Sequence, residues 1–130
     1  MLKVYHLSGL NKAEVKRLNA NGWDSEPRFA RYADITSDGT PAQVAIALLE
    51  REYSLVAIVA SDDINDGFKL TNHIEDDWRN NEGVIALPGE HRSTSVGDII
   101  VQDAVTSIVS KFGFTPLTSA NSNLSLGSPS

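Results

Sequence analysis

Leu55 to Ala60 is an almost unbroken apolar run, too short for a helix of ordinary length and closed on its C-terminal side by Ser61-Asp62-Asp63. Such a run reads as a central strand buried on both faces. The remainder of the chain then has to supply neighbouring strands and helical covers. Much of it does so between Tyr53 and Leu117, where apolar and polar stretches alternate with little intervening chain.

The segments around that run carry their own signals. Leu2 to Leu7 alternates and reads as a short strand. Asn11 followed by Glu14 is a capping box that opens a helix, and Asn21-Gly22 closes it. Asp24-Ser25-Glu26-Pro27 reads as a polar connector, and Arg28 to Thr36 as a second strand, with Phe29, Ala33 and Ile35 sharing a face. Thr40-Pro41-Ala42-Gln43 opens another helix, with Pro41 at its first position and Gln43 in the capping-box slot. Ile64, Phe68, Thr71, Ile74 and Trp78 recur at helical spacing, so a third helix is expected to run on to Gly83 with that stripe against the sheet. Val84 to Leu87 is a strand candidate. Ile99 to Gln102 and Val105 to Lys111 form a hairpin about Asp103-Ala104. The expected fold is a single α+β or α/β domain over residues 1–117: a mixed sheet, about three packed helices and a C-terminal antiparallel hairpin. Residues 118–130, rich in Ser and Asn, read as a flexible tail.

Composition removes several kinds of chemistry. The chain has no cysteine, which excludes disulfides, iron–sulfur clusters and thiolate zinc sites and fits a reducing cytosol. No apolar stretch approaches the roughly 20 residues that span a bilayer, and the polar turn after His6 marks the N-terminus as a strand and not a signal peptide. A formal charge of -6 lacks the basic footprint of a nucleic-acid binder and suits a basic protein partner.

Most of that charge gathers between residues 61 and 83. Asp62, Asp63, Asp66, Glu75, Asp76, Asp77 and Glu82 face only Lys69 and Arg79 there. A solvated helix face accounts for such a pattern, and so does a docking surface for a basic partner. A second candidate set comprises His73, His91, Arg92, Ser93, Ser95 and Asp98. His73 lacks the spacing of a metal-binding helix and fits a packed structural histidine. The stretch Arg92 to Asp98 offers hydroxyls, amides and a guanidinium to an anion, but has neither the glycines nor the lysine of a phosphate loop. It reads first as a capped turn, with Ser and Asp side chains bonded to loop amides and Gly97 sending the chain into Ile99. Phe112 and Phe114 suit core packing. No metal site, cofactor motif or nucleophile context is recognisable.

Three blocks carry a family resemblance: Tyr53 to Ala60 with the helix from Ile64 to Trp78, Ser93-Thr94-Ser95-Val96-Gly97-Asp98-Ile99-Ile100, and Phe112-Gly113-Phe114. Together they resemble the YodL-like small domains of phages and mobile elements, over residues 53–117 only. The resemblance implies a genetic setting and no settled activity: such domains travel with anti-restriction and other host-interaction genes. The expectation is therefore a non-enzymatic phage or mobile-element accessory protein in the host cytoplasm. It would bind a host defence or nucleic-acid-processing factor through the acidic segment. Alternatives are a small ligand-binding domain or enzyme with a His/Arg/Asp pocket, and a virion structural protein.

Overall fold

The computed structural model describes residues 1–22, 27–72, 77–89, 92–111 and 113–118. In chain order these form β1 (Leu2–Leu7), α1 (Lys12–Asn21), α2 (Pro27–Asp38), α3 (Pro41–Leu49), β2 (Tyr53–Val59) and α4 (Ile64–Lys69). A 3-10 turn at Trp78–Asn80, β3 (Val84–Ala86), β4 (Ile99–Gln102), β5 (Val105–Ser110) and β6 (Gly113–Pro116) follow.

The six strands make one sheet in the order β3-β2-β1-β4-β5-β6. Every neighbouring pair is antiparallel, so the sheet is not mixed. The reason lies in the long excursion after β1. Leu7, where β1 ends, pairs with Tyr53, where β2 begins. The three helices between them therefore leave and return at the same end of the sheet, and β2 runs back alongside β1. Between Val4↔Ala57 and Tyr5↔Leu55 the register shifts, leaving Val56 as the extra residue of a bulge.

Alternation along the strands sends side chains into two separate cores, one on each face. Leu2, Val4, Val59, Ile100 and Val109 join Trp78 on one face, with Ile64 and Phe68 of α4 packed against them. Leu7, Ile99 and Ile108 meet Ile35 of α2 and Val44 and Ala47 of α3 on the other. The apolar run in β2 is not buried on both faces: Val56, Ala57 and Val59 enter the first core, whereas Leu55 and Ile58 are half-buried and belong to neither core, and Ala60 is exposed. Phe114 of β6 meets Phe68 edge-on, with centroids 6.5 Å apart, and so joins the core as expected. Phe112 lies outside the described residues.

Two helical expectations are corrected. Residues 28–36 form helix and not strand: α2 begins at Pro27, whose fixed φ and missing N–H suit the first helical position. Ala30, Asp34 and Ser37 are exposed while Arg31, Tyr32, Ile35 and Thr36 are not, a three-to-four-residue repeat that only a helix produces. The acidic helix expected to reach Gly83 stops at Lys69. There the Thr71 hydroxyl donates back to Gly67 O at 2.6 Å, and the Thr71 carbonyl accepts Thr94 N at 3.0 Å, which draws the chain off the helical path. Ile64, Phe68 and Trp78 still face the first core. α4 sits so close to the sheet that a Cβ at Gly67 would lie 3.0 Å from Leu2 Cδ1.

The caps of α1 and α3 differ. At Asn11 both halves of the capping box form: Glu14 N donates to Asn11 Oδ1 at 2.8 Å and Asn11 N to Glu14 Oε1 at 3.0 Å. Thr40 occupies the cap position before Pro41, but its hydroxyl does not cap α3 and reaches Asp34 O instead, at 3.5 Å.

Candidate functional site

The loop before β4 is built around one carboxylate. Asp98 is fully buried. Its Oδ1 accepts Leu7 N at 2.9 Å and Arg92 Nη2 at 2.7 Å; its Oδ2 accepts Ser95 N at 2.8 Å and Arg92 Nη1 at 2.5 Å. A carboxylate offers about four acceptor positions. All are occupied, which leaves no lone pair to take a proton from a substrate. Arg92 also donates to Leu7 O at 3.0 Å and to Ser95 Oγ at 3.2 Å, so the loop is tied to the end of β1. The bond from Asp98 raises the Arg92 pKa above its ordinary value.

A chain of hydroxyls lies beside this pair. His6 Nε2 is 2.8 Å from Thr94 Oγ1, which is 2.6 Å from Thr71 Oγ1. The carbonyl of Gly67 can only accept, so it takes the Thr71 proton; Thr94 then donates to Thr71, and His6 donates from Nε2. The arrangement selects the imidazole tautomer with the proton on Nε2. His6 Nε2 lies 3.9 Å from Asp98 Oδ2, and the His6 ring meets Trp78 edge-on at 6.2 Å. Trp78 Nε1 donates to Arg92 O at 3.0 Å, and Tyr53 OH to Gly97 O at 2.5 Å. Burial, then the charge of Asp98, raises the Tyr53 phenol pKa far above its ordinary value. A cleft of about 710 Å³ opens over this centre, with His6, Ser8, Tyr32, Ser54, Pro88 and Arg92 in its wall.

Of the residues singled out in sequence, the structure brings together Arg92, Ser95 and Asp98, with Ser93 contributing its carbonyl to Arg92 at 3.0 Å. The capped-turn reading holds for Asp98, which accepts the Ser95 amide, whereas the Ser95 hydroxyl accepts from Arg92 and not from a loop amide. His73 and His91 lie outside the described residues. His6, Thr71, Thr94 and Tyr53 belong to the same centre and carry no local signal, because their partners are distant in sequence.

The acidic segment is not one helical face. Asp62 is exposed and accepts the Met1 ammonium at 2.9 Å, which lowers its pKa. Asp63 caps α4, accepting Asn65 N at 3.0 Å, while remaining exposed. Asp66 accepts Ser61 Oγ at 2.7 Å. Asp77 caps the 3-10 turn and pairs with Arg79, whose Nε lies 2.9 Å from Oδ2. Glu82 is exposed, and Glu75 and Asp76 lie outside the described residues.

A second charged cluster went unnoticed in sequence. Arg31 grips buried Glu52 from Nε at 2.7 Å and Nη2 at 2.8 Å. Arg28 bonds Glu14, Ser8 O at 2.8 Å and Gly9 O at 3.0 Å. The Asn11 N–H, and then the Arg28 guanidinium, hold the Glu14 carboxyl below its ordinary range. Arg51, beside them, has φ 57°. It follows α3 where glycine is preferred: Arg51 N bonds Leu48 O at 3.2 Å and Glu52 N bonds Ala47 O at 2.8 Å, the paired bonds of a Schellman motif. An L residue in that conformation costs about 1 kcal/mol.

Among the described residues no group of three His, Asp or Glu side chains is placed to hold a metal, and no helix is long and apolar enough to cross a membrane. Comparisons with protein-family models, with curated proteins and with solved structures find no match.

Proposed function

We propose that this protein is a non-enzymatic accessory protein of a phage or mobile element that captures a basic host protein, in an anti-defence or host-takeover role. The observation that carries this reading is the exposure of Asp62, Asp63 and Glu82 on the connection between β2 and β3. Asp63 is held in place by its capping bonds while its charge stays in contact with solvent. Charge fixed in this way steers an oppositely charged partner without much further ordering. The genetic setting comes from the YodL-like resemblance of residues 53–117. The host cytoplasm is the compartment that such a partner implies.

The test is capture from host lysate with identification by mass spectrometry, comparing the wild type with the combined Asp62→Lys, Asp63→Asn, Glu82→Lys variant, in which Asn at position 63 keeps the cap of α4. Asp77 is left intact because it caps the 3-10 turn. The variant should keep its circular dichroism spectrum and lose the partner, and wild-type capture should weaken as salt rises. Undiminished capture by the folded variant would remove the proposal.

The cleft over His6 and Arg92 favours a second reading, a ligand-binding domain. Its volume suits a small molecule, but the Asp98 carboxylate is spent on the loop itself. A fragment screen by NMR that shifted Ser8, Tyr32 and Ser54 together would support it; no shift there would dispose of it.

A further inference from the structure

Four of the chain's six arginines, Arg17, Arg28, Arg31 and Arg51, line one cleft of about 560 Å³ between α1, α2 and the corner from α3 into β2. In a chain of net charge -6 this is a local reversal of sign. Among the described residues three glutamates share the cleft, and two of them are already committed. Glu14 is held by the Asn11 amide and Arg28, and Glu52 by the fork of Arg31. The third is Glu50.

We propose that this cleft binds the phosphoryl group of a small phosphorylated molecule, with Arg51 and Arg31 as its principal contacts. Arg31 meets Glu52 through Nε and Nη2, which leaves Nη1 to donate elsewhere. The Arg51 guanidinium has no hydrogen-bond or ion-pair partner among the described residues. Its backbone adopts the left-handed conformation at φ 57°, where glycine would end α3 without strain. A strained residue with an uncommitted cation in a cleft marks a functional position. Planar guanidinium forks match the oxygens of a phosphoryl group. The volume exceeds that of a bare phosphate and admits an attached organic part.

Electrostatics elsewhere in the molecule do not oppose this. Leu7, at the cleft end of β1, pairs with Tyr53, whereas Leu2 pairs with Val59 beside the acidic connection. The five steps from Leu2 to Leu7 separate the two ends by roughly 17 Å, about twice the distance over which exposed charges interact at physiological salt.

The experiment is a thermal-shift and calorimetric titration of the full chain with inorganic phosphate and with adenosine monophosphate, against sodium chloride at matched ionic strength. Both phosphates should raise Tm beyond the chloride control. Arg51→Gly should bind at least about fivefold more weakly, while its Tm without ligand equals or exceeds that of the wild type. Tighter binding of the nucleotide assigns the organic part to the cleft; equal affinity assigns free phosphate as the ligand. Failure of both to exceed chloride, wild-type affinity in Arg51→Gly, or a lowered ligand-free Tm in that variant each overturns the proposal.

Discussion

Arg92 grips Asp98 with two parallel bonds, Nη1 to Oδ2 at 2.5 Å and Nη2 to Oδ1 at 2.7 Å, and the carboxylate it grips is 1% exposed. The same carboxylate fastens Leu7 and Ser95, so one side chain joins the end of β1 to the loop that starts β4. Removing Arg92 leaves the buried Asp98 charge uncompensated, and removing Asp98 leaves Leu7 N and Ser95 N without their acceptor. Asp98→Ala and Arg92→Ala should each destabilise the fold by about 3 kcal/mol in urea unfolding. The double variant should lose clearly less than the sum, since each single change already breaks the pair. Additive losses would mean that the two residues act independently.

Tyr53 buries its phenol and donates to Gly97 O at 2.5 Å. Its folded pKa is raised above that of the unfolded chain, so the unfolded state loses the proton first. The contribution to stability is complete below about pH 10 and falls as pH rises above it. Unfolding free energies at pH 8 and pH 11 should therefore show an alkaline loss that Tyr53→Phe diminishes. At neutral pH that variant should cost about 1 kcal/mol through the lost bond.

Gly97 has φ 95°, and a Cβ there would lie 2.6 Å from Ile35 Cγ2 and 2.8 Å from Ile35 O. Backbone strain and overpacking act together, so Gly97→Ala should destabilise by about 3 kcal/mol. Gly22, whose Cβ would meet nothing within 4 Å, should lose far less when changed to Ala, because only the backbone term remains. Equal losses in chemical denaturation would show that the contact with Ile35 is not tight.

Asn11 and Glu14 hold the start of α1, and Glu14 also receives Arg28. Asn11→Ala should cost about 1 kcal/mol. The Glu14 carboxyl titrates below its ordinary value of 4.5 in the folded chain. Its contribution is therefore present above that pH and disappears as pH falls through the folded value. Thermal unfolding between pH 7 and pH 3 should show an acid loss that is smaller in Glu14→Gln.

Local chemistry was legible wherever a few neighbouring residues decide the outcome. The capping box at Asn11, the helix start at Pro41, the apolar run of β2 and the turn at Asp103-Ala104 are each determined within about five residues. The capped turn from Ser95 to Asp98 belongs with them, since its key bond spans three positions. Tertiary structure decided what depends on distant partners. Alternation in Arg28 to Thr36 resembled a strand, yet a helix there lets Tyr32 and Ile35 meet the second core while Arg31 reaches Glu52. The acidic helix ended early because Thr71 is bonded to Thr94, 23 residues away. His6 meets Thr94 across 88 residues, and Asp98 meets Leu7 across 91. Strand direction was settled in the same way. Periodicity says which side of a strand is buried, but only the end of the sheet at which the helical excursion returns says which way the next strand runs.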